Sequence, residues 1–153
     1  MLLVQMVQRA TLLRTIGPLS EWSDKMIPEI KHSSLSKGEV YTRIYEASLS
    51  GAYVSYLRGT RCDNEDSFFK EISASFQFPF YYGENWPATD ECLCDLEWLN
   101  ASKIHIMVDD FSQMFSAQAS IQDKLKSKVI KYFAVMVDYW KEQNVPIEIW
   151  LNN

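Results

Sequence analysis

The chain has 153 residues, a formal net charge of -5 and a sequence pI of about 5.0. Hydrophobic residues make up 47% and charged residues 23% of it, which is ordinary globular usage, so a chain of this length can bury a core without disulfides. The acidic balance argues against nucleic acid as a direct ligand, because neutralising phosphates requires clusters of Lys and Arg, and it suits a basic protein partner.

Residues 1–49 carry the weakest structural signals. The apolar start lacks a basic region and a small-residue cleavage site, so no signal peptide is expected, and no run of 18 apolar residues predicts a membrane span. We therefore expect a cytoplasmic protein. Apolar residues recur at helical spacing over residues 2–16, although a strand could equally begin there, and residues 18–39 are expected to be irregular.

The rest of the chain alternates strand-like and helix-like stretches. Strands are predicted at residues 40–47, 52–59, 103–109 and 146–151, and helices at residues 65–76, from about 85 to 96, and 120–143. The first two strands are separated by only four residues, which predicts an antiparallel hairpin at a sheet edge. The later strands are separated by helices, so we predict an α/β fold in which three strands, at 52–58, 103–109 and 146–151, form a parallel sheet.

Cysteine usage gives no sign of a disulfide framework or of a metal site. Cys62, Cys92 and Cys94 are expected to be free thiols. Only His32 and His105 could join the last two in a zinc site, so we predict no metal. The chain also lacks a glycine-rich phosphate loop and a nucleophile motif, and therefore no catalytic residue and no cofactor are predicted.

Two pairs of carboxylates leave an enzyme as a weak alternative. Glu91 and Asp95 could act in acid–base catalysis, and Asp109 and Asp110 could bind a cation. The second pair ends a predicted strand and is more simply expected to cap the following turn. His105, between isoleucines in the same strand, is expected to pack in the core.

The segment from Phe78 to Leu99 has the most unusual composition. It carries five carboxylates, and no Lys or Arg occurs between Glu71 and Ser102. A helical wheel places a buried arc and two acidic flanks on the predicted short helix. The arc holds Ala88, Thr89, Cys92, Leu93 and Leu96; one flank holds Asp90 and Glu97, the other Glu91 and Asp95, and Pro87 and Cys94 lie exposed between the flanks. A solvated face is one interpretation, but the absence of basic residues favours a surface for a basic partner.

The residues before this helix suggest how it begins. Pro87 suits a first helical turn, with Asn85 or the backbone at Trp86 as the cap. Gly83 predicts either a positive φ or a close backbone approach. Tyr81 and Tyr82 could each cover the core or contact a partner.

The same segment resembles the barstar family, the intracellular inhibitors of the secreted bacterial ribonuclease barnase. The resemblance is carried by Phe78-Pro79, by YYGENW at residues 81–86, by Glu91-Cys92-Leu93, and by Asp95, Leu96, Trp98 and Leu99. It covers roughly residues 50–153, so we divide the chain into an N-terminal extension, 1–49, and a barstar-like domain, 50–153. The extension is expected to add an edge strand and to cover the sheet, or to add contact surface.

The resemblance implies a small α/β fold whose acidic helix and preceding loop block a nuclease active site. The partner-binding residues implied or expected on this surface are Tyr81, Tyr82, Gly83, Asn85, Trp86, Asp90, Glu91, Cys94 and Asp95, with Glu91 at the family's main acidic anchor position. The chain departs from the family pattern at Pro87, which stands where the family has an Asp, at Asp90, Cys94 and Leu96, and near Tyr139. These departures favour a toxin other than barnase.

Two functions follow from these observations. The first is a stoichiometric immunity or antitoxin protein that blocks a basic nuclease toxin, expected to be a ribonuclease, as a 1:1 complex. The second is a barstar-like interaction or regulatory domain with no nuclease partner. Neither requires direct nucleic-acid or membrane binding, and neither is an enzyme.

Overall fold

The computed structural model describes residues 28–153, so the helix or strand expected over residues 2–16 lies outside the described residues. The strands are β1 (Ile30–Ser33), β2 (Tyr53–Arg58), β3 (Ile104–Asp109) and β4 (Ile147–Asn152). The helices are α1 (Lys37–Leu49), α2 (Glu65–Phe76), α3 (Trp86–Leu93) and α4 (Gln122–Glu142). Short 3-10 turns occupy Gly59–Arg61, Glu97–Leu99, Phe111–Gln113 and Ser116–Ile121.

The four strands form one parallel sheet in the order β1-β4-β3-β2. Tyr53 is in register with Ile104, which is in register with Ile147. The predicted α/β fold and its three adjacent parallel strands are therefore confirmed. The helices predicted at 65–76 and 120–143 are also present, with small shifts at the ends of the second.

The two faces of the sheet are covered differently. Ile104, Ile106 and Val108 of β3 belong to the main hydrophobic core, together with buried residues of α2, α3 and α4 such as Phe76, Leu93 and Phe133. His105, Met107 and Asp109 alternate with them and point to the opposite face. Helix α1 contacts β2 and β3 and covers that second face. Cysteines 62, 92 and 94 are buried free thiols, as predicted.

The prediction of a strand at residues 40–47 is wrong, because these residues lie within α1. The helix begins with a capping box: the Ser36 hydroxyl accepts a bond from the Glu39 amide, while the Glu39 carboxylate accepts the Ser36 N–H at 2.8 Å. Val40 is the one buried residue of α1, and its aromatic residues are exposed. The hairpin expected between residues 40–47 and 52–59 is therefore absent.

The N-terminal extension nevertheless supplies an edge strand. This strand is β1, which pairs in parallel with β4. The Ile149 amide donates to the Glu29 carbonyl at 2.8 Å, and the Asn153 amide donates to the Ser33 carbonyl at 3.0 Å. The edge strand thus comes from residues 30–33, which the sequence suggested were irregular, and it is parallel rather than antiparallel.

A network of polar groups lies beneath α1. Asp109, which is 1% exposed, accepts hydrogen bonds from Lys37 at 2.5 Å, from the Tyr56 hydroxyl at 2.9 Å and from Asn152 at 3.0 Å. Burial alone would raise the pKa of Asp109, but these three hydrogen bonds outweigh it and lower that pKa. Lys37 also binds Asp110 at 2.8 Å.

The predictions for Asp110 and His105 have different outcomes. Asp110 is the N-cap residue of the turn Phe111–Gln113, as expected for the pair, but only its backbone carbonyl accepts the Gln113 amide, at 2.9 Å, while its side chain makes no cap bond and binds Lys37. His105 is 4% exposed and packs beneath α1, which confirms the expected burial. Within residues 28–153, no helix is long and apolar enough to cross a membrane.

Candidate protein-binding site

Helix α3 is fixed at its start by Asn85. The Asn85 side-chain oxygen accepts the Ala88 amide at 2.9 Å, and the Asn85 carbonyl accepts the Thr89 hydroxyl at 2.8 Å. Pro87 occupies the first turn, where its missing N–H costs no helical hydrogen bond. The predicted cap is confirmed, and the Asn85 side chain stabilises the start of the acidic helix.

The end of α3 departs from the prediction. The helix ends at Leu93, three residues before the predicted end, and Leu96 has a left-handed backbone with φ 45°. The Trp140 indole N–H donates to the Leu93 carbonyl at 2.8 Å, which satisfies one of the terminal carbonyls. Because the chain turns here, Cys94 is 1% exposed, and the expectation that it lies on the exposed face was wrong.

The acidic side chains remain at the surface. Glu91 and Glu97 are exposed, and Asp90 and Asp95 are partly exposed, while Thr89, Cys92 and Leu93 are buried as the wheel predicted. Within residues 28–153, none of the ion pairs or side-chain hydrogen bonds involves Glu91, Asp95 or Glu97. We call these three residues the acidic patch.

The two tyrosines of the preceding loop have different environments. Tyr82 packs edge-on against Phe78, with ring centroids 4.8 Å apart, and its hydroxyl shares a hydrogen bond of 2.7 Å with Thr89. Burial raises the pKa of Tyr82 to about 12. Tyr81 is 61% exposed. Tyr82 is therefore a residue of the core margin, whereas Tyr81 presents its ring to the surface.

Tyr81 joins the loop to the acidic patch. Desolvation raises the pKa of Tyr81, and the carboxylates of Asp95 and Glu97 add to this rise. Burial likewise raises the pKa of Cys92 to about 11, with Asp95 and Glu91 contributing. Asp95 therefore acts on both the exposed tyrosine of the loop and the buried thiol of α3, so the loop borders the acidic patch.

Trp86 is part of the framework beneath this surface. It is 8% exposed, and its indole stacks on Phe68 with centroids 5.1 Å apart. Its N–H donates to Glu65 at 2.5 Å, and the Lys128 ammonium lies 4.5 Å from its ring centroid. These contacts tie α3 to α2 and α4, so little of the Trp86 side chain is left for a partner.

Gly83 is exposed, but it does not have the positive φ that was one of the two predictions for it. The positive φ belongs to the next residue, Glu84, at 48°. A Cβ added at Gly83 would lie 3.0 Å from the Asn85 side-chain nitrogen. The glycine therefore leaves room for the capping residue of α3.

Sequence reasoning missed one exposed residue of the loop, Phe80. Its side chain is fully exposed, at 101%, and its ring lies edge-on to Tyr81 with centroids 5.7 Å apart. The signal was available, because an aromatic residue follows Pro79 directly in a segment already expected to contact a partner.

Comparison with protein families agrees with this arrangement. Residues 52–152 match the family model described as barstar (barnase inhibitor). The chain belongs to the barstar family. The match begins just before β2 and ends in β4, so it contains the loop, α3 and the acidic patch but neither β1 nor α1. A search of curated proteins gave no match.

Family membership bears on function at a coarse level. Members are inhibitors of ribonuclease rather than enzymes, so the family suggests a ribonuclease-inhibitor-like role and a protein partner. The sheet is larger than the three strands expected for the minimal domain, because the N-terminal segment adds β1 at one edge and α1 on one face.

Proposed function

We propose that this protein is a stoichiometric inhibitor of a basic nuclease toxin, most simply a ribonuclease, which it binds 1:1 through the acidic patch and the loop before it. The observation that carries the proposal is the absence of ion pairs at Glu91, Asp95 and Glu97 within residues 28–153 of a barstar-family chain. Such a surface gains most when a cationic site covers it.

Six other carboxylates of the described chain contrast with the acidic patch. Glu29, Glu71, Asp109, Asp110, Asp123 and Glu148 each have a Lys or Arg partner within 4 Å. Within residues 28–153, these six carboxylates thus have basic partners, whereas the three of the acidic patch have none. A nuclease active site, which must bind phosphates, supplies cations in a compact cluster.

Of the predicted partner-binding residues, we assign direct contact to Tyr81, Asp90, Glu91 and Asp95. Gly83 and Asn85 lie at the exposed start of α3 and offer backbone and amide contacts. Tyr82, Trp86 and Cys94 act from beneath the surface, because their side chains are largely buried. The proposal requires no catalytic turnover by this chain.

The direct experiment is a titration of RNA cleavage. The probes are purified barnase and any basic nuclease that a neighbouring reading frame encodes, each held at fixed concentration while this protein is added. We expect activity of the cognate nuclease to fall linearly to near zero at a 1:1 ratio, and this protein alone to cleave no RNA.

Two results would reject the proposal. One is full activity of both nucleases with excess inhibitor, which would favour the interaction or regulatory domain without a nuclease partner. The other is inhibition that continues to grow at large molar excess, because a plug for an active site saturates at equimolar ratio. Pro87, exposed where the family carries an acid, makes barnase the weaker of the two probes.

A further inference from the structure

The loop before α3 holds its most exposed aromatic residue in a defined position. The Tyr82 amide donates to the Pro79 carbonyl at 3.0 Å, which closes a turn with Phe80 and Tyr81 at its two central positions. Central positions of a turn project their side chains outward, and Gly, Asn, Asp and Ser usually occupy them. Folding of this turn therefore does not require Phe80.

Both ends of the turn are anchored in the protein. Phe78 lies against Phe76, with centroids 5.9 Å apart, and edge-on to Trp98 at 6.1 Å. On the other side, Tyr82 bonds to Thr89 in the middle of α3. The turn is thus held between the core and the acidic helix, so that presenting Phe80 needs no further ordering when a partner binds.

The charge beside Phe80 indicates what covers it. Its ring contacts Tyr81, and Tyr81 lies in the electrostatic field of Asp95 and Glu97. A partner that brings cations to the acidic patch therefore also brings its neighbouring surface over Phe80. Aromatic residues at the centre of an interface commonly fill pockets and carry much of the binding energy.

Resting on the proposed function, we infer that Phe80 is an apolar anchor, which inserts into an apolar pocket bordering the cationic site of the partner nuclease. Phe80 then governs mainly the dissociation rate, independently of salt, while the charge at the margin of the acidic patch, Glu97, governs mainly the association rate and its salt dependence. The partner is accordingly a basic protein whose cationic cleft has an apolar pocket of phenyl size at its rim.

The test uses the full chain and the basic nuclease of the titration above, with both rate constants measured at low and high salt. Burying a phenyl ring predicts that Phe80→Ala weakens binding about 10- to 150-fold, through faster dissociation and with an unchanged salt dependence. Phe80→Leu should retain much of the affinity. The matched control is Tyr45→Ala, which removes a ring that is 64% exposed on α1, and it should bind as the unmodified protein does.

The outcomes separate this inference from the proposed function. If Phe80→Ala binds as tightly as the unmodified protein while Glu91→Ala binds weakly, the anchor is wrong and the inhibitor function stands. If the unmodified protein does not bind the nuclease, both are wrong. A loss with Phe80→Ala that appears in the association rate and vanishes at high salt also overturns the anchor. Denaturant melts should show equal stability for all variants, because the ring is fully exposed.

Discussion

The carboxylates on two surfaces of this protein have opposite environments. Beneath α1, Asp109 is buried and receives hydrogen bonds from Lys37, Tyr56 and Asn152. On and after α3, Glu91 and Glu97 are at the surface and pair with no cation among residues 28–153. The first site is complete within the described chain, whereas the second has no counter-charge among residues 28–153 and is suited to a basic partner.

This difference separates stability from binding. Removing a group from a satisfied buried network leaves donors without acceptors and should weaken folding. Removing an exposed acid that pairs with nothing should leave folding nearly unchanged and weaken association with a basic partner. The two surfaces therefore predict opposite profiles in a melt and in a nuclease titration, and each prediction below tests one of them.

The largest expected effect is at Glu91, in the acidic patch. Truncating one partner of a buried interfacial charge pair costs about 2–5 kcal/mol, so Glu91→Ala should weaken nuclease binding roughly 30-fold to several-thousand-fold, mainly through dissociation. Stability of the free protein should hardly change, because Glu91 is exposed and unpaired in the described chain. Titration against the cognate nuclease, with a denaturant melt of the free variant, measures both quantities.

The control for Glu91 is Glu46→Ala, which removes one exposed carboxylate from α1 on the other side of the sheet. It should bind almost as the unmodified protein does. Equal affinity for Glu91→Ala and Glu46→Ala would mean that the acidic patch is only a solvated face.

The second prediction concerns Asp109. Asp109→Ala removes the acceptor of three side-chain hydrogen bonds, two of them from the partly or fully buried side chains of Tyr56 and Asn152, and of one from the Asp110 amide. We expect unfolding free energy to fall by about 2–4 kcal/mol, because buried donors are left unpaired and a charge-assisted bond is lost. Nuclease affinity of the folded variant should not change. Denaturant melts and the nuclease titration measure these two quantities.

Asp110→Asn is the matched control for Asp109. It removes a charge that bonds the same lysine, but its side chain is 34% exposed, so the loss should stay below about 1 kcal/mol. Similar losses of unfolding free energy for the two variants would show that negative charge near Lys37, rather than the buried hydrogen-bond acceptor, stabilises the network beneath α1. Asn is chosen because it tolerates the left-handed backbone, φ 52°, found at this position.

Sequence reasoning predicted the parts of the molecule that have strong local periodicity. Helices α2 and α4 and strands β2, β3 and β4 follow from their apolar spacing, and the parallel sheet follows from their order. Strand β1 could not be predicted in this way. Its four residues, IKHS, have no strand pattern, and the strand depends on pairing with β4 far along the chain.

Helix α1 was predicted as a strand because its aromatic and β-branched residues suggested one. Those aromatics, Tyr41 and Tyr45, are exposed and four residues apart, and only Val40 is buried in the helix. The apolar spacing therefore does not mark a core face. The capping box, Ser36 with Glu39, is a local signal that would have identified the helix.

The candidate site was predictable in its charge but not in its outline. The wheel placed Glu91 outside and Leu93 inside correctly, since both lie within the regular helix. It failed at Cys94, because the chain turns where Trp140 binds the Leu93 carbonyl, a contact between residues distant in sequence. Burial of Trp86 likewise depends on α2 and α4, which helical spacing in α3 does not reveal.

The third prediction concerns the pH dependence of stability that His105, on the face beneath α1, should produce. Burial lowers the pKa of His105 and is the largest cause; Arg43, Lys103 and Lys31 lower it further, and Glu148 opposes them. A histidine whose pKa is depressed in the folded state contributes stability above its unfolded pKa, about 6.5, and loses it as pH falls. The loss is at most about 1.4 kcal/mol per pH unit.

Melts of the unmodified protein and of His105→Gln from pH 8 to pH 5 measure this effect. The unmodified protein should lose more stability on acidification than the variant, whatever their absolute stabilities, since the variant has no imidazole to titrate. Parallel curves for the two proteins would show that folding does not lower the pKa of His105. Nuclease binding by the folded protein should be insensitive to the substitution, because His105 lies on the opposite face from the core beneath α3.

The smallest expected effect is at Glu97, at the margin of the acidic patch. Glu97 starts the turn Glu97–Leu99, is exposed, and adds to the electrostatic field at Tyr81. A charge at the margin attracts the partner at long range but stays hydrated in the complex, so Glu97→Ala should slow association several-fold, with little change in dissociation. The deficit should shrink as salt approaches 1 M, where screening acts within about 3 Å. Association rates at four salt concentrations would measure it, and a deficit that persists at 1 M would instead place Glu97 in direct, desolvated contact with the nuclease, alongside Glu91.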